Sequence, residues 1–419
     1  MRDSLESADA ILGHRSIQAL TVAFVVSAIF RLALPTVASA QLSVHRPTGR
    51  VAPAPLSLID SGQELGRSSS WKVSLADADN DGDLDAFVSN WHGENSEDGK
   101  LWLNAGDGNF DESSQQFPAS FTGMKTGDLD ADGDVDLWFC EHLLAGQAEG
   151  RVWLNNGHGV FTATDQHFLT GNSALGDVDG DGDIDVMVAN NSVGVRVYLN
   201  DGQAVFSQGR DLNVRVPENI AVADLDGDGD LDAYVARLCN DQLENLPDRI
   251  WFNDGHGLFV DSGQGIGAHM GIDVALGDVD GDGDPDALVG NNHDPPTSSN
   301  PPEPFKLYIN DGNGIFSDSG QVLGSSRQGG VALADMDGDR DLDAVLFDRD
   351  HMAESGPNRV LLNNGRGRFA DWGLNFGDSV TASGGVGDLD GDGDLDVFTA
   401  NVGIDGTVPN QVWINTPTR

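Results

Sequence analysis

The stretch "DLDGDGDLDVFTAN", residues 388–401, sets five Asp at alternate positions of a nine-residue run and then turns apolar. Charges of one sign held that close repel one another, so the spacing asks for a cause. The same cluster opens at Asp77, Asp128, Asp177, Asp224, Asp278, Asp335 and Asp388, at intervals of 51, 49, 47, 54, 57 and 53 residues. Self-similarity at such a period marks a repeat architecture. A small-residue apolar run, such as "VALGD" or "IAVAD", precedes each cluster, and a strand-like run, such as "LDAFVSN" or "IDVMVAN", follows it. Further on stands a third segment: "KLWLN", "RVWLN", "RVYLN", "RIWFN", "KLYIN", "RVLLN" and "QVWIN". Six of these run into a Gly-containing turn and a Phe that opens a fourth strand, as in "NDGHGLF". Four short strands per unit without helical periodicity predict an all-β fold of propeller blades.

The two ends of the repeat region fix the closure. The seventh unit stops at "QVWINTPTR" without a fourth strand, while "LSLIDSGQELG" at residues 56–66 matches the fourth-strand segments "GLFVDSGQGIG" and "GIFSDSGQVLG". An N-terminal strand that completes the last blade closes a ring and removes open edges. The expectation is a seven-bladed β-propeller of four-stranded blades over residues 56–419.

Each cluster carries Asp at its first, third, fifth, seventh and ninth positions. The candidate metal ligands are therefore Asp77, Asp79, Asp81, Asp83 and Asp85 in the first loop, and Asp128, Asp130, Asp132, Asp134 and Asp136 in the second. Asp177, Asp179, Asp181, Asp183 and Asp185 form the third set, and Asp224, Asp226, Asp228, Asp230 and Asp232 the fourth. Asp278, Asp280, Asp282, Asp284 and Asp286 follow, then Asp335, Asp337, Asp339, Asp341 and Asp343, and finally Asp388, Asp390, Asp392, Asp394 and Asp396. Carboxylates spaced by two along a tight loop can converge, and oxygen-only donors in a loose cage suit Ca²⁺ better than Mg²⁺. By analogy with calcium loops, positions one, three, five and nine would give side-chain oxygens and position seven its carbonyl, leaving the seventh carboxylate outside the ion's first shell. Solvated acidic turns are the plainer alternative, which seven identical spacings disfavour. A helical EF-hand loop is excluded, because the twelfth positions are Val88, Phe139, Val188, Val235, Val289, Leu346 and Thr399, none of them acidic.

The pattern D-x-D-x-D-G-x-x-D on a hairpin, with "NxGxGxF" downstream, resembles the FG-GAP/VCBS repeat family, whose relatives include the propeller of integrin α-subunits. The resemblance spans residues 56–415 and implies up to seven bound Ca²⁺ at the positions named. One loop departs from it: "DMDGDRDLD" has Arg340 where the others have Gly, so the Asp335–Asp343 site is expected to bind more weakly. Pro285 at the eighth position of the fifth loop is tolerable if that residue needs no ladder hydrogen bond.

Charge bears on partners. Asp and Glu number 68 against 23 Lys and Arg, a formal charge of -45, which excludes nucleic acid as a partner. The clusters hold 35 of those acids, and seven divalent ions (+14) would bring -45 to -31. The segment "HRSIQALTVAFVVSAIFRLALPTVASAQ" reads as an export signal ending at Ala40, with an uncleaved anchor as the alternative that Arg31 disfavours. Residues 1–40 are thus a signal peptide, 41–55 a Pro-containing linker, and the mature chain an extracellular, cell-surface or periplasmic protein without a membrane span. Cys140 and Cys239 are expected as free thiols.

Length variation separates the two faces of the ring. From the last cluster Asp to the residue opening the third strand the spacings are 15, 15, 11, 17, 20, 16 and 15, whereas from there to the next cluster they are 28, 26, 28, 29, 29 and 29. Variation collects in the loops between second and third strands, where a constant scaffold would display recognition residues. Trp91, His92, His142, Arg237, His293, Arg349 and His351 are candidates there, with scattered surface residues as the alternative. Third strands open with Lys100, Arg151, Arg196, Arg249, Lys306, Arg359 and Gln411, and two residues on stand Trp102, Trp153, Tyr198, Trp251, Tyr308, Leu361 and Trp413. These read as blade-to-blade packing with each base paired to an acid, ahead of a ring of sugar sites. The functional expectation is an exported calcium-binding module for a protein or glycan ligand. A calcium-dependent polysaccharide lyase or hydrolase, or a passive surface or assembly scaffold, is the alternative. No nucleophile elbow, HExxH or zinc spacing is present.

Overall fold

The computed structural model describes residues 56–91, 98–118, 123–142, 148–238, 246–267, 270–292, 303–326, 329–349, 356–403 and 408–416. The signal, the linker, Cys239, His92, His293 and His351 lie outside the described residues. Each repeat forms one four-stranded antiparallel sheet, and seven such sheets build a β-propeller. Blade 1 comprises Ser70–Ala76, Asp85–Asn90, Gly99–Asn104 and Phe110–Phe117, and the blades that follow repeat this order. Among the described residues no helix is long and apolar enough to cross a membrane.

Burial explains the strand compositions. Second strands are covered on both faces: Asp85–Asn90, Asp232–Arg237 and Asp396–Asn401 are buried at every position. They accordingly read as continuous apolar runs rather than alternating ones. Outer strands such as Val260–Ile266 alternate between exposed and half-buried until the last residue. There is no single core. Seven separate apolar clusters lie one between each pair of neighbouring blades, the last of them joining blades 6 and 7. Each holds one of the residues two along from the third-strand base: Trp102, Trp153, Tyr198, Trp251, Tyr308, Leu361 and Trp413.

The bases themselves are engaged alongside. Lys100 pairs with Glu112, Arg196 with Asp211 at 2.8 Å, Lys306 with Asp318 at 2.8 Å and Arg359 with Asp371 at 3.5 Å. Arg151 donates to the Thr164 carbonyl and Gln411 to Asp60. The packing reading of this row therefore stands.

Ring closure follows the expected seam. Leu58–Asp60 pairs antiparallel with Gln411–Asn415 as the fourth strand of blade 7, in the register Leu58 to Asn415 and Asp60 to Trp413. Leu65 continues the seam with a bridge to Asn410, then buries itself in the cluster between blades 7 and 1. Two features went beyond the sequence reading. Fourth strands shrink to Thr162–Ala163 and Ser207–Gln208 in blades 2 and 3, and a small extra ribbon pairs Glu303–Pro304 with Ser325–Ser326. Cys140 is buried, and its Sγ donates to the Gly171 carbonyl at 3.4 Å.

Candidate metal centres

The seven Asp loops share one hydrogen-bonded frame, built by the backbone around the carboxylates. The first-position carboxylate accepts from the sixth-position N–H at 2.8–3.2 Å in all seven loops. The fifth accepts from the seventh-position N–H at 2.9–3.1 Å. Such a turn drives the sixth residue into the left-handed region: Gly82 has φ +100°, and Arg340, alone without Gly, has φ +76°. The fourth position is left-handed too, including Asn80 at +60° and Ala131 at +59°. The other five loops carry Gly at this fourth position (Gly180, Gly227, Gly281, Gly338 and Gly391), a second requirement that the sequence reading passed over.

The ninth Asp has a double task. Its side chain is fully buried in every loop. One oxygen accepts from the second-position N–H at 2.8–3.1 Å. The other accepts from the backbone N–H of the Asn that ends the third strand, at 2.7–2.8 Å. That Asn then reaches, through its side-chain amide, the second-position carbonyl of the preceding blade's loop at 2.7–3.0 Å. Seven Asn side chains (Asn104, Asn155, Asn200, Asn253, Asn310, Asn363 and Asn415) thus staple the loops into a closed circle. Sequence reasoning missed them, although every third-strand segment ends in Asn.

The seventh-position carboxylate leans onto the Gly turn between third and fourth strands. A Cβ added to Gly106, Gly157, Gly202, Gly255, Gly312 or Gly365 would sit 2.2–2.7 Å from it. This places both turns on one face of the ring and explains why that Gly recurs.

The carboxylates do converge. In four loops an oxygen from each of the first, third and ninth Asp lies within 4.8 Å of the others, as in Asp77, Asp79 and Asp85; in the fifth, Asp278, Asp280 and Asp282 do so. Burial first, and then the charge of cluster neighbours, raises the third-position Asp79, Asp179, Asp226, Asp280 and Asp390 above the ordinary carboxylate range and Asp337 to about 6. Burial likewise pushes Asp85, Asp136, Asp232, Asp286 and Asp396 up to about 7, with Asp185 at about 6 and Asp343 at about 8. Oδ1 of Asp79, Asp128, Asp179 and Asp335 is buried with no hydrogen-bond donor. Buried acceptors are normally satisfied, and a cation would satisfy these. The residues present fit a metal ion.

A model described as an FG-GAP-like repeat matches residues 77–139 and 177–235, each match running from one Asp loop through the next and into the strand that follows it. FG-GAP-like repeats are thus detected in two stretches of the chain, and the seven-bladed propeller is consistent with a propeller of such repeats. No curated protein sequence matches it. Among solved structures, this chain aligns with a chain of the BBS1N–ARL6DN complex soaked with lead at TM-score 0.54 and 12% identity, over 86% of this chain and 97% of that one. The mercury-soaked crystal of the same complex gives TM-score 0.54 and 11% identity over the same shares. A structure concerning recognition of non-reducing terminal N-acetylglucosamine by an Agrocybe aegerita protein aligns over 85% of this chain and 87% of that one, at 16% identity and TM-score 0.46. The first two agree in fold. A propeller of this family is a binding or scaffold module in general terms.

The candidates for the opposite face have separate fates. Trp91 is 47% exposed and meets Trp71 edge-on at 5.3 Å. Arg349 lies across the Trp71 ring, 3.6 Å from its centroid. His142 ends the second strand of blade 2, Asp136–His142. Arg237 is not a surface group: it is 7% exposed and donates to the carbonyls of Arg215 at 3.0 Å and Pro247 at 3.1 Å. Its neighbour Asp248 accepts from Tyr234 Oη at 3.0 Å and from the Arg237 N–H at 2.8 Å, so this corner of blade 4 is a buried brace.

Proposed function

We propose that the protein is an exported, calcium-loaded propeller that presents the face opposite its Asp loops to a protein or glycan partner. The carrying observation is the set of donor-less carboxylate oxygens buried at the loop centres. Hard oxygen donors on a turn that can adjust suit Ca²⁺. The first, third, fifth and ninth Asp of each loop would supply side-chain oxygens and the seventh its carbonyl. The ion would neutralise repelling carboxylates and hold each hairpin tip in place, a structural rather than a chemical task. Export rests on the signal-like residues 1–40. The partner face rests on the uneven loops there and on exposed Trp91.

Melting the purified protein in millimolar calcium and again in excess chelator tests this reading. Ligands that bind only the folded state raise its melting temperature by mass action, so calcium is expected to raise it by several degrees. Identical curves would rule out structural calcium. Glycan-array binding that is lost on substituting residues 91–98, with the melting curve intact, would support the partner face.

A further inference from the structure

The turns between third and fourth strands end in apolar tips in four consecutive blades. Val160, Val205, Leu258 and Ile315 each precede the Phe that closes the turn, and they are 44–57% exposed. Blades 1, 6 and 7 place Asn109, Arg368 and Ser57 at that position. Exposed apolar residues scattered singly need no explanation. Of the nine large apolar side chains exposed among the described residues, however, four fall at this one position of adjoining blades. The apolar surface also continues beneath them. The Gly before Val160, Leu258 and Ile315 lies against half-buried Leu103, Leu199 and Phe252 of the preceding blade, which an added Cβ would meet.

In blades 3, 4 and 5 the fold sets a carboxylate beside each tip. Asp201 accepts from the Val205 N–H at 3.3 Å, Asp254 from the Leu258 N–H at 3.4 Å and Asp311 from the Ile315 N–H at 3.3 Å. All three acids are exposed, and none forms an ion pair among the described residues.

The Asp loops share this face. Its hairpin tips in blades 2–5 are residues 128–136, 155–161, 177–185, 200–206, 224–232, 253–259, 278–286 and 310–316, which hold 23 Asp and no Lys or Arg. Four divalent ions (+8) would still leave 15 of those negative charges. The arc ends at blade 6, whose two tips carry Arg340, Arg366 and Arg368.

An occupant must match both the apolar tips and the charge. A second copy of a chain with formal charge -45 would bring like charge to the arc, as would an anionic lipid surface. A cationic segment with an apolar side meets both demands.

We propose that the tips of blades 2–5 form a docking surface for a basic amphipathic segment of a partner protein. Its Lys or Arg residues meet Asp201, Asp254 and Asp311 while its apolar residues cover the tips. This surface lies on the Asp-loop face, so the inference goes beyond the reading above and does not rest on it.

The test is calorimetric titration of the calcium-loaded chain with an amphipathic Leu–Lys peptide, a Ser–Lys peptide of equal charge and a Leu–Glu counterpart. The Leu–Lys peptide is expected to bind about tenfold or more tightly than the Ser–Lys peptide, the difference coming from apolar area covered, and the Leu–Glu peptide not at all. Leu258→Ser combined with Ile315→Ser should weaken the Leu–Lys peptide by about tenfold, leave the Ser–Lys peptide unchanged and leave the melting curve in place. Asp254→Asn combined with Asp311→Asn keeps the turns, because Asn156 and Asn364 accept turn N–H bonds at the same place in blades 2 and 6. That variant should weaken both cationic peptides by about threefold, as loss of exposed ion pairs does. Equal binding of the two cationic peptides, or a Leu–Lys affinity unmoved by the double Ser variant, would overturn the surface. Self-association of the parent that the double Ser variant abolishes would reassign it to a second copy. Flotation with phosphatidylcholine vesicles lost in the same variant would reassign it to a membrane. None of these results bears on the calcium-dependent melting difference or on glycan binding at the opposite face.

Discussion

Arg340 has a backbone conformation that its six counterparts reach with Gly, φ +76° with a Cβ in place. A left-handed non-Gly residue costs about 1–2 kcal/mol. Arg340→Gly is therefore expected to stabilise the protein by about 1 kcal/mol, and to tighten metal binding at the Asp335–Asp343 loop by removing a nearby cation. Denaturant unfolding and a metal titration check the two halves; a variant less stable than the parent would show that the Arg side chain contributes more than its backbone costs. The odd residue was visible in the sequence because the other six loops defined the rule. Asn80 and Ala131 stand where the other five loops carry Gly, so their left-handed turn was legible by the same comparison, although it went unread. The Asn staples were hidden in function. In six cases the carbonyl that each Asn reaches lies 71–85 residues back along the chain, in another blade, and no local pattern marks such a pairing.

Strands and seam were legible for a different reason. The missing fourth strand of blade 7 and its twin at residues 56–66 are two halves of one motif, so the pairing of Leu58–Asp60 with Gln411–Asn415 could be read without coordinates. The register slips that skip one residue between Ser70 and Lys72, Pro217 and Asn219, Gly271 and Asp273, and Thr381 and Ser383 could not, because a one-residue slip leaves no trace in an irregular apolar run. Arg237 misled for a related reason: a charged residue at a strand end reads as exposed until carbonyls to hold it are found. The seam yields a prediction. A chain starting at Arg67 loses the outer strand of blade 7 together with Leu65 from its core, and leaves Gln411–Asn415 as an open edge. Unpaired edges invite other chains. This truncation should melt well below the parent and migrate as oligomers in size-exclusion chromatography, whereas a monomer of parental stability would mean the closure contributes little.

For the molecule as a whole, charge and pH are joined through the ninth-position Asp. Their folded pKa values, near 7 for five of the seven, lie above the roughly 4 of an unfolded Asp. Between about pH 4 and 7 the ion-free folded chain thus holds protons that the unfolded chain has released, and its stability falls as pH rises through that window. Metal ligands must be ionised, so calcium should reverse the trend. The melting difference with and without calcium is expected to widen from pH 5 to pH 8; an equal difference at both would contradict the burial of these carboxylates. The net charge of -45 pointed toward cations at once, but where those acids sit is a matter of folding alone. The closing strand has a further consequence, in time. Ile59 cannot meet Ile414 until more than three hundred intervening residues have been made. The earliest part of the propeller to leave the ribosome is therefore the last to find its neighbour, and every blade made in between must stay soluble while the circle waits.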